Sequence, residues 1–453
     1  MITTEIDRGL VERHSAPVPR YTSYPTAPHF HDGIDAETYG AWLSESPEDA
    51  SLSLYLHIPF CDRLCWFCAC HTRQVLRYGP ISAYLEALHA EIDTLGGLLG
   101  ERRVKAVHLG GGSPTMLRAE DIDRLGAALR RAFKFADDCE ISLEVDPNDI
   151  TSEKLDAWGR FGVTRASFGV QDFDETVQRV INRQQSFAAT GDAVAGFRAR
   201  GVGSVNLDVL YGLPHQTPDT LAATLDQVIS LRPDRVALFG YAHVPWMKKH
   251  QRLIDDTRLP DGHERFAQAR LGAAMLEEAG YVAIGLDHFA LPEDGMARAL
   301  HDGSLRRNFQ GYTTDGADML IGLGASSIGR LPQGYVQNIA ATAEYSRAAL
   351  AGRLPAARGY RLDEADKATA WLIEQIMCGF GFSAVKLGQR FPGQASPLLA
   401  EAVRVAKNDP DHLVSWDGDD FRVTERGRPF VRAIAARFDA FLRRNEQRHS
   451  IAV

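Results

Sequence analysis

Short apolar segments alternate with amphipathic stretches from residue 51 to about residue 241, and this alternation constrains the fold more than any other feature of the chain. Strand–helix alternation predicts a parallel β-sheet whose strands are joined by right-handed crossovers. Six such units are too few for a closed eight-fold barrel, so we expect an α/β fold with an open or partial parallel (β/α)6 barrel. The candidate strands cover 52–58, 104–109, 140–144, 165–168, 204–210 and 235–241, and the candidate helices cover 81–98, 119–133, 153–161 and 218–229.

The length of the chain predicts more than one structural unit, because 453 residues exceed what one hydrophobic core usually serves. Residues 1–50 are polar and interrupted by prolines, and we interpret them as an N-terminal arm that packs on the main domain. Residues 51–320 form the predicted strand–helix domain. Residues 321–453 form a predicted smaller domain, mainly helical.

The predicted C-terminal domain contains a helix over 363–383, a hairpin around Asp417-Gly418 and a final helix over 428–443. This order is typical of a winged-helix-like unit, which either binds DNA or serves as a packing lid. The chain has 50 basic and 59 acidic residues and a net charge of −9, whereas DNA binding needs a basic surface. We therefore favour the lid and expect no nucleic-acid partner.

The first residues show no apolar run of the kind found in signal peptides, and no stretch is long and apolar enough to span a bilayer. We therefore expect a cytoplasmic protein. Because the cytoplasm is reducing, we do not expect the six cysteines to form a disulfide framework.

Four of the six cysteines lie within ten residues, directly after the first predicted strand, at positions 61, 65, 68 and 70. Cys61, Cys65 and Cys68 are candidate ligands of a [4Fe–4S] cluster, since thiolates are the usual ligands of such clusters. Three ligands leave one iron open, and an open iron can bind the amino and carboxylate groups of S-adenosylmethionine (SAM). The alternatives are a structural zinc site that uses all four thiols and a redox Cys-x-x-Cys pair.

Other unusual residues follow the ends of the remaining predicted strands. Ligands of parallel sheets bind at the carboxyl ends of the strands, so these residues are expected to converge with the cysteines. The triple glycine 110–112 permits close approach of a ligand to the main chain. Glu144 is a candidate for binding ribose hydroxyls. Gln171, Asp208 and the Ala242-His243 pair follow or lie near the ends of the next three strands.

The segment 55–61, the cysteine spacing and the segment 110–115 resemble the radical SAM superfamily. Within it, the chain is similar over nearly its whole length to the family of oxygen-independent coproporphyrinogen III oxidases. The segments that carry this closer resemblance include 19–26, 144–147, 169–173 and 307–314, together with Cys70. The resemblance implies that residues 51–320 form a catalytic partial barrel of radical SAM type.

The resemblance implies an enzyme of heme (porphyrin) biosynthesis that converts two propionate side chains of coproporphyrinogen III to vinyl groups, giving protoporphyrinogen IX. In this reaction a 5′-deoxyadenosyl radical takes hydrogen from the propionate β-carbon, and loss of one electron and CO2 follows. Two SAM molecules are implied. The first would contact Tyr55, Gly111, Glu144 and Ile328, and the second Phe67, Gly112, Ser113, Gln171, Arg183, Asp208 and Ala242.

The four carboxylates of such a substrate require cationic partners, and arginine binds carboxylates in a bidentate manner. Arg20, His288 and Arg307 are the candidates, and Cys70 is a candidate for a role in turnover. We further expect a monomer that receives electrons from a flavodoxin-type donor.

Four positions depart from the family pattern. Ala69 replaces a common glycine, His71 a common asparagine and Ser113 a common threonine, while Gly240 stands where asparagine is often found. Two other functions of the same superfamily remain as alternatives: a heme chaperone, and an enzyme that acts on the heme macrocycle. The chaperones typically lack the arm and the fourth cysteine.

Overall fold

The computed structural model describes residues 8–442, in which twelve strands form the main sheet and seven shorter strands form small sheets around it. The strands are β1 Leu52–Ile58, β2 Phe60–Cys61, β3 Arg73–Gln74, β4 Arg103–Gly111, β5 Lys134–Val145, β6 Arg165–Gln171, β7 Ser204–Tyr211, β8 Arg235–Gly240, β9 Val282–Ile284, β10 His288–Ala290, β11 Arg306–Asn308, β12 Gly311–Thr313, β13 Met319–Leu323, β14 Ile328–Leu331, β15 Gly334–Asn338, β16 Ala356–Arg361, β17 Gly381–Ser383, β18 Val414–Trp416 and β19 Asp420–Val423.

All six predicted strands are present, as β1, β4, β5, β6, β7 and β8, and they pair in parallel in that order. The predicted α/β class with a parallel sheet core is therefore confirmed. The sheet order places β16 at one edge and β9 at the other, so the described sheet is open rather than a closed ring. The crossovers bring the carboxyl ends of the parallel strands to one edge of the sheet.

The sheet continues beyond the six predicted strands on both sides. Strand β13 pairs in parallel with β1, and β14, β15 and β16 extend this side as antiparallel strands up to Arg361. On the other side, the short strands β10 and β9 add to β8 in antiparallel orientation. The strand–helix alternation does not reveal these additions, because antiparallel neighbours need no crossover helix. The division into domains at residues 50 and 320 stays a prediction.

The helices cover the sheet and fill the C-terminal region. Helix α8, Pro218–Ser230, shows how the local sequence determines where a helix begins. The Thr217 side chain accepts a hydrogen bond from the Thr220 amide, and Pro218 is the first residue of the first turn. The α-helices are α1 Arg8–His14, α2 Ala36–Glu45, α3 Gly79–Leu99, α4 Ala119–Ala132, α5 Ser152–Phe161, α6 Glu175–Val180, α7 Phe187–Arg198, α8 Pro218–Ser230, α9 Gly262–Glu278, α10 Gly295–Asp302, α11 Thr342–Leu350, α12 Glu364–Gly379, α13 Ala384–Arg390, α14 Ala395–Lys407 and α15 Val431–Ala435.

Two hydrophobic cores hold the chain together. The larger core lies between the sheet and its helices, and the central strands are buried on both faces, as the pattern of Leu52–Ile58 shows. The second core joins helices α12 to α15 and the β17–β19 sheet to side chains of the arm, among them Tyr21 and Tyr24. None of the described helices has the length and apolar content needed to cross a membrane.

The C-terminal region is mainly helical, as predicted, and the predicted hairpin forms between β18 and β19, with Gly418 at φ 107° in its turn. The helix predicted over 363–383 ends earlier, at Gly379, because Phe380 adopts a left-handed conformation and β17 follows.

The final helix predicted over 428–443 is shorter within the described residues: the α-helix Val431–Ala435 is flanked by 3-10 turns at Arg428–Phe430 and Ala436–Phe438, and the helical run ends there. Asp439 interrupts it: its carboxylate accepts from the amides of Phe441 and Leu442 and, through its other oxygen, from the Tyr21 hydroxyl of the arm. A tertiary contact thus competes with helix propagation. Residue 443 lies outside the described residues.

Candidate active site

The loop that carries Cys61, Cys65 and Cys68 follows β1 at the carboxyl edge of the sheet. Strand β2, which ends at Cys61, pairs with β3 and closes the loop on itself. The amide of Trp66 donates to the Ile181 carbonyl at 2.9 Å, and the Asn182 side chain donates to the Leu64 carbonyl at 2.9 Å. Backbone contacts with the segment after α6 therefore hold the cysteine loop in place.

The three thiols form one donor group. Burial, together with the negative charges of Cys68 and Cys65 as thiolates, raises the pKa of Cys61 to about 12. Burial also raises the pKa of Cys65, while the Arg183 guanidinium, 3.8 Å from its sulfur, opposes that shift. Three soft, mutually repelling thiolates on one loop fit an iron–sulfur cluster, which would supply the positive charge they lack.

Cys70 also points to this group but is held differently. Its amide donates to the Cys68 sulfur at 3.4 Å, and Lys248 donates to its carbonyl at 2.9 Å. His250 lies 2.7 Å from the Cys68 carbonyl. The segment after β8 therefore covers the cysteine loop from outside.

Glu144, at the end of β5, faces the triple glycine. Its carboxylate accepts from the Gly111 amide at 3.0 Å and lies 3.2 Å from Nε2 of His108. The surrounding protein opposes ionisation, but these contacts outweigh that effect and lower the pKa of Glu144. With 41% of its side chain exposed, an ionised carboxylate remains available to ligand hydroxyls.

The triple glycine is required by contacts within the protein. Gly111 has φ 108°, and a Cβ at this position would lie 2.5 Å from the His57 ring. A Cβ at Gly112 would lie 2.5 Å from the carbonyl oxygen of Phe60 in the cysteine loop. The glycines thus bring the β4 turn against the loop, which places Gly111 and Gly112 beside the candidate cluster ligands.

Tyr55 joins this group from β1: its hydroxyl lies 3.0 Å from Nδ1 of His57, and its ring stacks on His108. Ile328 lies next to it, because Tyr55 is in register with Gly322 and the backbone of Ile328 packs against that glycine. Tyr55, Gly111, Glu144 and Ile328 therefore lie on neighbouring strands of the sheet.

A second group lies along β6 and β7. Arg183 is buried, and it donates to Asp146 at 2.6 Å and to the Gly169 carbonyl at 2.9 Å. Gly169 is in register with Asp208, and the Gln171 side chain lies beside it. Arg183 is thus no surface charge, as it links the strand ends to the cysteine loop.

The Asp208 carboxylate accepts from Asn206 at 2.7 Å and from Ser167 at 3.2 Å. Burial raises the pKa of Asp208 to about 6, the Asn206 hydrogen bond lowers it, and the negative charge of Glu144 raises it. Glu144 is in register with Ser167 on β6, whose hydroxyl donates to Asp208, so the two groups of residues lie on neighbouring strands.

The remaining predicted contacts lie at the borders of the site. The Ser113 hydroxyl donates to Asp149 at 2.8 Å and is buried. Phe67 and Ala242 are joined by Gln251, whose side-chain nitrogen donates to both carbonyls, at 2.8 and 3.2 Å.

The three candidate substrate contacts do not all lie in the same place. Arg20 and His288 line one open cavity beyond the end of β8. Arg307 lies outside this cavity lining, donates to the carbonyls of Tyr21 and Arg20, and covers the Tyr312 ring at 4.3 Å. Arg307 therefore holds the arm.

Four arginines of this cavity were not identified from the sequence, and Arg265 and Arg432 are two of them. Arg265 lies on α9, whose start is marked by a capping box of Asp261 and Glu264, so the helix was detectable from sequence. Nothing local marks Arg432. The contact of His108 with Glu144 was also missed; in the β4–β5 register His108 is opposite Ser142, two residues before Glu144, so the contact is diagonal.

Comparison with known proteins agrees with this geometry. The model of the radical SAM superfamily matches residues 55–228. The fold and the site thus define a radical SAM enzyme, and an iron–sulfur cluster and SAM as its cofactors follow from that class.

The oxygen-independent coproporphyrinogen III oxidase of Bradyrhizobium diazoefficiens is 48% identical over 437 residues, covering 96% of this chain and 97% of the relative. That of Paracoccus denitrificans is 45% identical and covers 94% of each chain. The solved structure of coproporphyrinogen III oxidase from Escherichia coli superposes with a TM-score of 0.90 at 37% identity and covers 96% of this chain and 99% of that one. The chain belongs to the family of oxygen-independent coproporphyrinogen III oxidases.

A Cys70→Ser variant is expected to keep the full iron content but to lose turnover. A single residue separates Cys70 from Cys68, a spacing that is awkward for ligating the same cluster, and the open iron must stay free for SAM. Iron and sulfide analysis after anaerobic reconstitution, with an activity assay, checks this. Loss of iron equal to that of Cys68→Ser would show that Cys70 is a ligand.

Proposed function

We propose that this protein catalyses the oxidative decarboxylation of two propionate side chains of coproporphyrinogen III to vinyl groups, giving protoporphyrinogen IX. The observation that carries the proposal is the position of the cysteine loop, which shares one sheet edge with the Glu144 and Asp208 groups and adjoins the arginine-lined cavity. Membership of the family supports coproporphyrinogen III as the substrate, because the relatives are named as oxidases of this compound.

Cys61, Cys65 and Cys68 would hold a [4Fe–4S] cluster. The group around Tyr55 and Glu144 would bind the first SAM. A second SAM would bind near the second group. We assign to it the predicted residues Phe67, Gly112, Ser113, Gln171, Arg183, Asp208 and Ala242.

With cluster and SAM bound, the site would supply a 5′-deoxyadenosyl radical that takes a hydrogen atom from the propionate β-carbon. The protein orients the propionate toward that point and excludes water. Loss of CO2 and of one electron to an external acceptor then leaves the vinyl group. Electrons for the cluster would come from a flavodoxin-type donor, and we propose that the enzyme acts as a monomer.

The reaction requires the same radical step on two propionates. We therefore expect about two molecules of 5′-deoxyadenosine for each protoporphyrinogen IX formed, with any excess from uncoupled cleavage of SAM. The measurement is an anaerobic assay with reductant, SAM and coproporphyrinogen III, in which both products are quantified by chromatography.

The control is the same assay with heme in place of coproporphyrinogen III. A heme chaperone would bind heme tightly and consume no SAM in proportion to added porphyrinogen. An enzyme acting on the macrocycle would convert heme and leave coproporphyrinogen III unchanged. Either result would exclude the proposed reaction.

A further inference from the structure

The cavity beyond β8 collects positive charge from three distant parts of the chain. Arg20 comes from the arm, Arg265 from α9 and Arg432 from α15, and all three line the cavity. The Arg20 charge lowers the pKa of both Arg265 and Arg432, after the larger effect of burial, so Arg20 repels both of the other guanidinium groups. The pKa of Arg432 falls to about 9.

Two other positions of the cavity wall have acidic partners close by. His288 lies 2.8 Å from the Asp287 carboxylate, and Arg428 forms an ion pair with Glu425 at 2.8 Å. Among the described residues, the Arg20 side chain donates only to the carbonyl of Gly240, at 2.8 Å. A carbonyl accepts a hydrogen bond but does not neutralise a charge, so this part of the cavity retains excess positive charge.

Arg265 has the least compensation. Its Nε is buried and makes no hydrogen bond within residues 8–442, and its guanidinium lies 5.8 Å from the centroid of the Tyr211 ring. A partly buried guanidinium without an anionic partner is costly unless a ligand supplies one. Gly240 makes room for this arrangement, since a Cβ there would lie 3.0 Å from Nη2 of Arg265 and 2.9 Å from the Tyr211 hydroxyl.

The cavity also has apolar walls and adjoins the cysteine loop. Phe266, Leu286 and Phe289 line it, which suits the apolar pyrrole rings of a macrocycle. It reaches Ala242, whose carbonyl shares the Gln251 donor with Phe67 of the cysteine loop. A ligand here can therefore extend from the arginines toward the candidate cluster.

We infer that Arg265, with Arg20 and Arg432, binds carboxylates of the tetrapyrrole and so sets the orientation in which its other propionates reach the radical. This inference rests on the proposed function and deepens it. Because Arg432 also donates to the carbonyls of Val18 and Pro19, at 2.5 and 3.2 Å, the carboxylate site couples the arm to the C-terminal region.

The test uses the reconstituted holoenzyme and coproporphyrin III, the stable oxidised tetracarboxylate, as a fluorescent probe. Arg265→Gln is expected to raise the Kd of the probe about tenfold or more, since charge-assisted hydrogen bonds are lost. The KM for coproporphyrinogen III should rise in parallel, with less effect on kcat. Iron content and substrate-free cleavage of SAM should stay at the wild-type level.

Two controls separate charge from packing. Arg426→Gln changes an exposed arginine of the neighbouring segment that does not line the cavity, and binding should not change. The tetramethyl ester of coproporphyrin III lacks the carboxylates, so its weaker binding should be the same for wild type and Arg265→Gln. Arg265→Lys should bind coproporphyrin III with a Kd between those of wild type and Arg265→Gln, because lysine keeps the charge and loses the bidentate fork.

Probe binding by Arg265→Gln within twofold of wild type would overturn the inference, and so would equal losses for acid and ester. Failure of the proposed function gives a different result. In that case the wild-type enzyme would bind coproporphyrin III in an Arg265-dependent way but form no protoporphyrinogen IX. If wild type converts coproporphyrinogen III and the Arg265→Gln variant binds normally, only the inference fails.

Discussion

Replacing Cys65 with alanine is expected to abolish both the [4Fe–4S] cluster and the cleavage of SAM. Cys65 is one of three thiols that converge on the loop after β1, and the loss of one thiolate from a three-ligand site leaves too few to retain the cluster. Cys61→Ala and Cys68→Ala should behave alike. Iron and sulfide analysis, with the broad visible absorption of the reconstituted protein, gives the measurement.

Cys139→Ala is the matched control, because this partly buried cysteine lies on β5, outside the loop. It should retain iron, absorption and activity. A loop variant that kept a full cluster and full turnover would contradict the ligand assignment.

Asp208→Asn is expected to spare the cluster and reduce turnover by about a hundredfold, the effect of losing charged hydrogen bonds to a cofactor. The carboxylate is held by Asn206 and Ser167 at the strand edge, where we place the second SAM. The variant keeps the shape of the side chain and removes its charge. Iron content, thermal stability and kcat measured on the same preparation check the expectation.

The pH dependence of wild type provides a second measurement. The raised pKa of Asp208, about 6, means that the carboxylate is ionised above this pH and becomes protonated below it. If the ionised form binds the cofactor, the KM for SAM should rise as the pH falls through about 6, and Asp208→Asn should lack this dependence. Asp192→Asn, at an exposed position of α7, is the control and should match wild type. An Asp208→Asn variant with normal kcat would contradict the assignment.

The strand ends were predictable because their signals are local. Each strand of the parallel core can be recognised in the sequence as a short apolar segment followed by an amphipathic stretch. Because ligands bind at the carboxyl ends of parallel strands, Gly111, Glu144 and Asp208 are then expected to lie together. The cysteine spacing marks the loop in the same way. The roles of the individual residues in binding SAM remain predictions.

Contacts between distant segments could not be predicted in this way. The break at Asp439 depends on a hydroxyl of the arm, more than four hundred residues away in sequence. The antiparallel strands that extend the sheet are short, and only their neighbours define them.

The sequence by itself therefore determined the parallel sheet, the candidate cluster ligands and the class of chemistry, because each depends on residues close together along the chain. The tertiary structure decided which cations face the cavity. It showed that Arg307 holds the arm, whereas Arg265 and Arg432 join Arg20 beside the end of β8. The physical reason is that the charge of an arginine is visible in sequence, whereas its partner depends on which segments the fold brings within hydrogen-bonding distance.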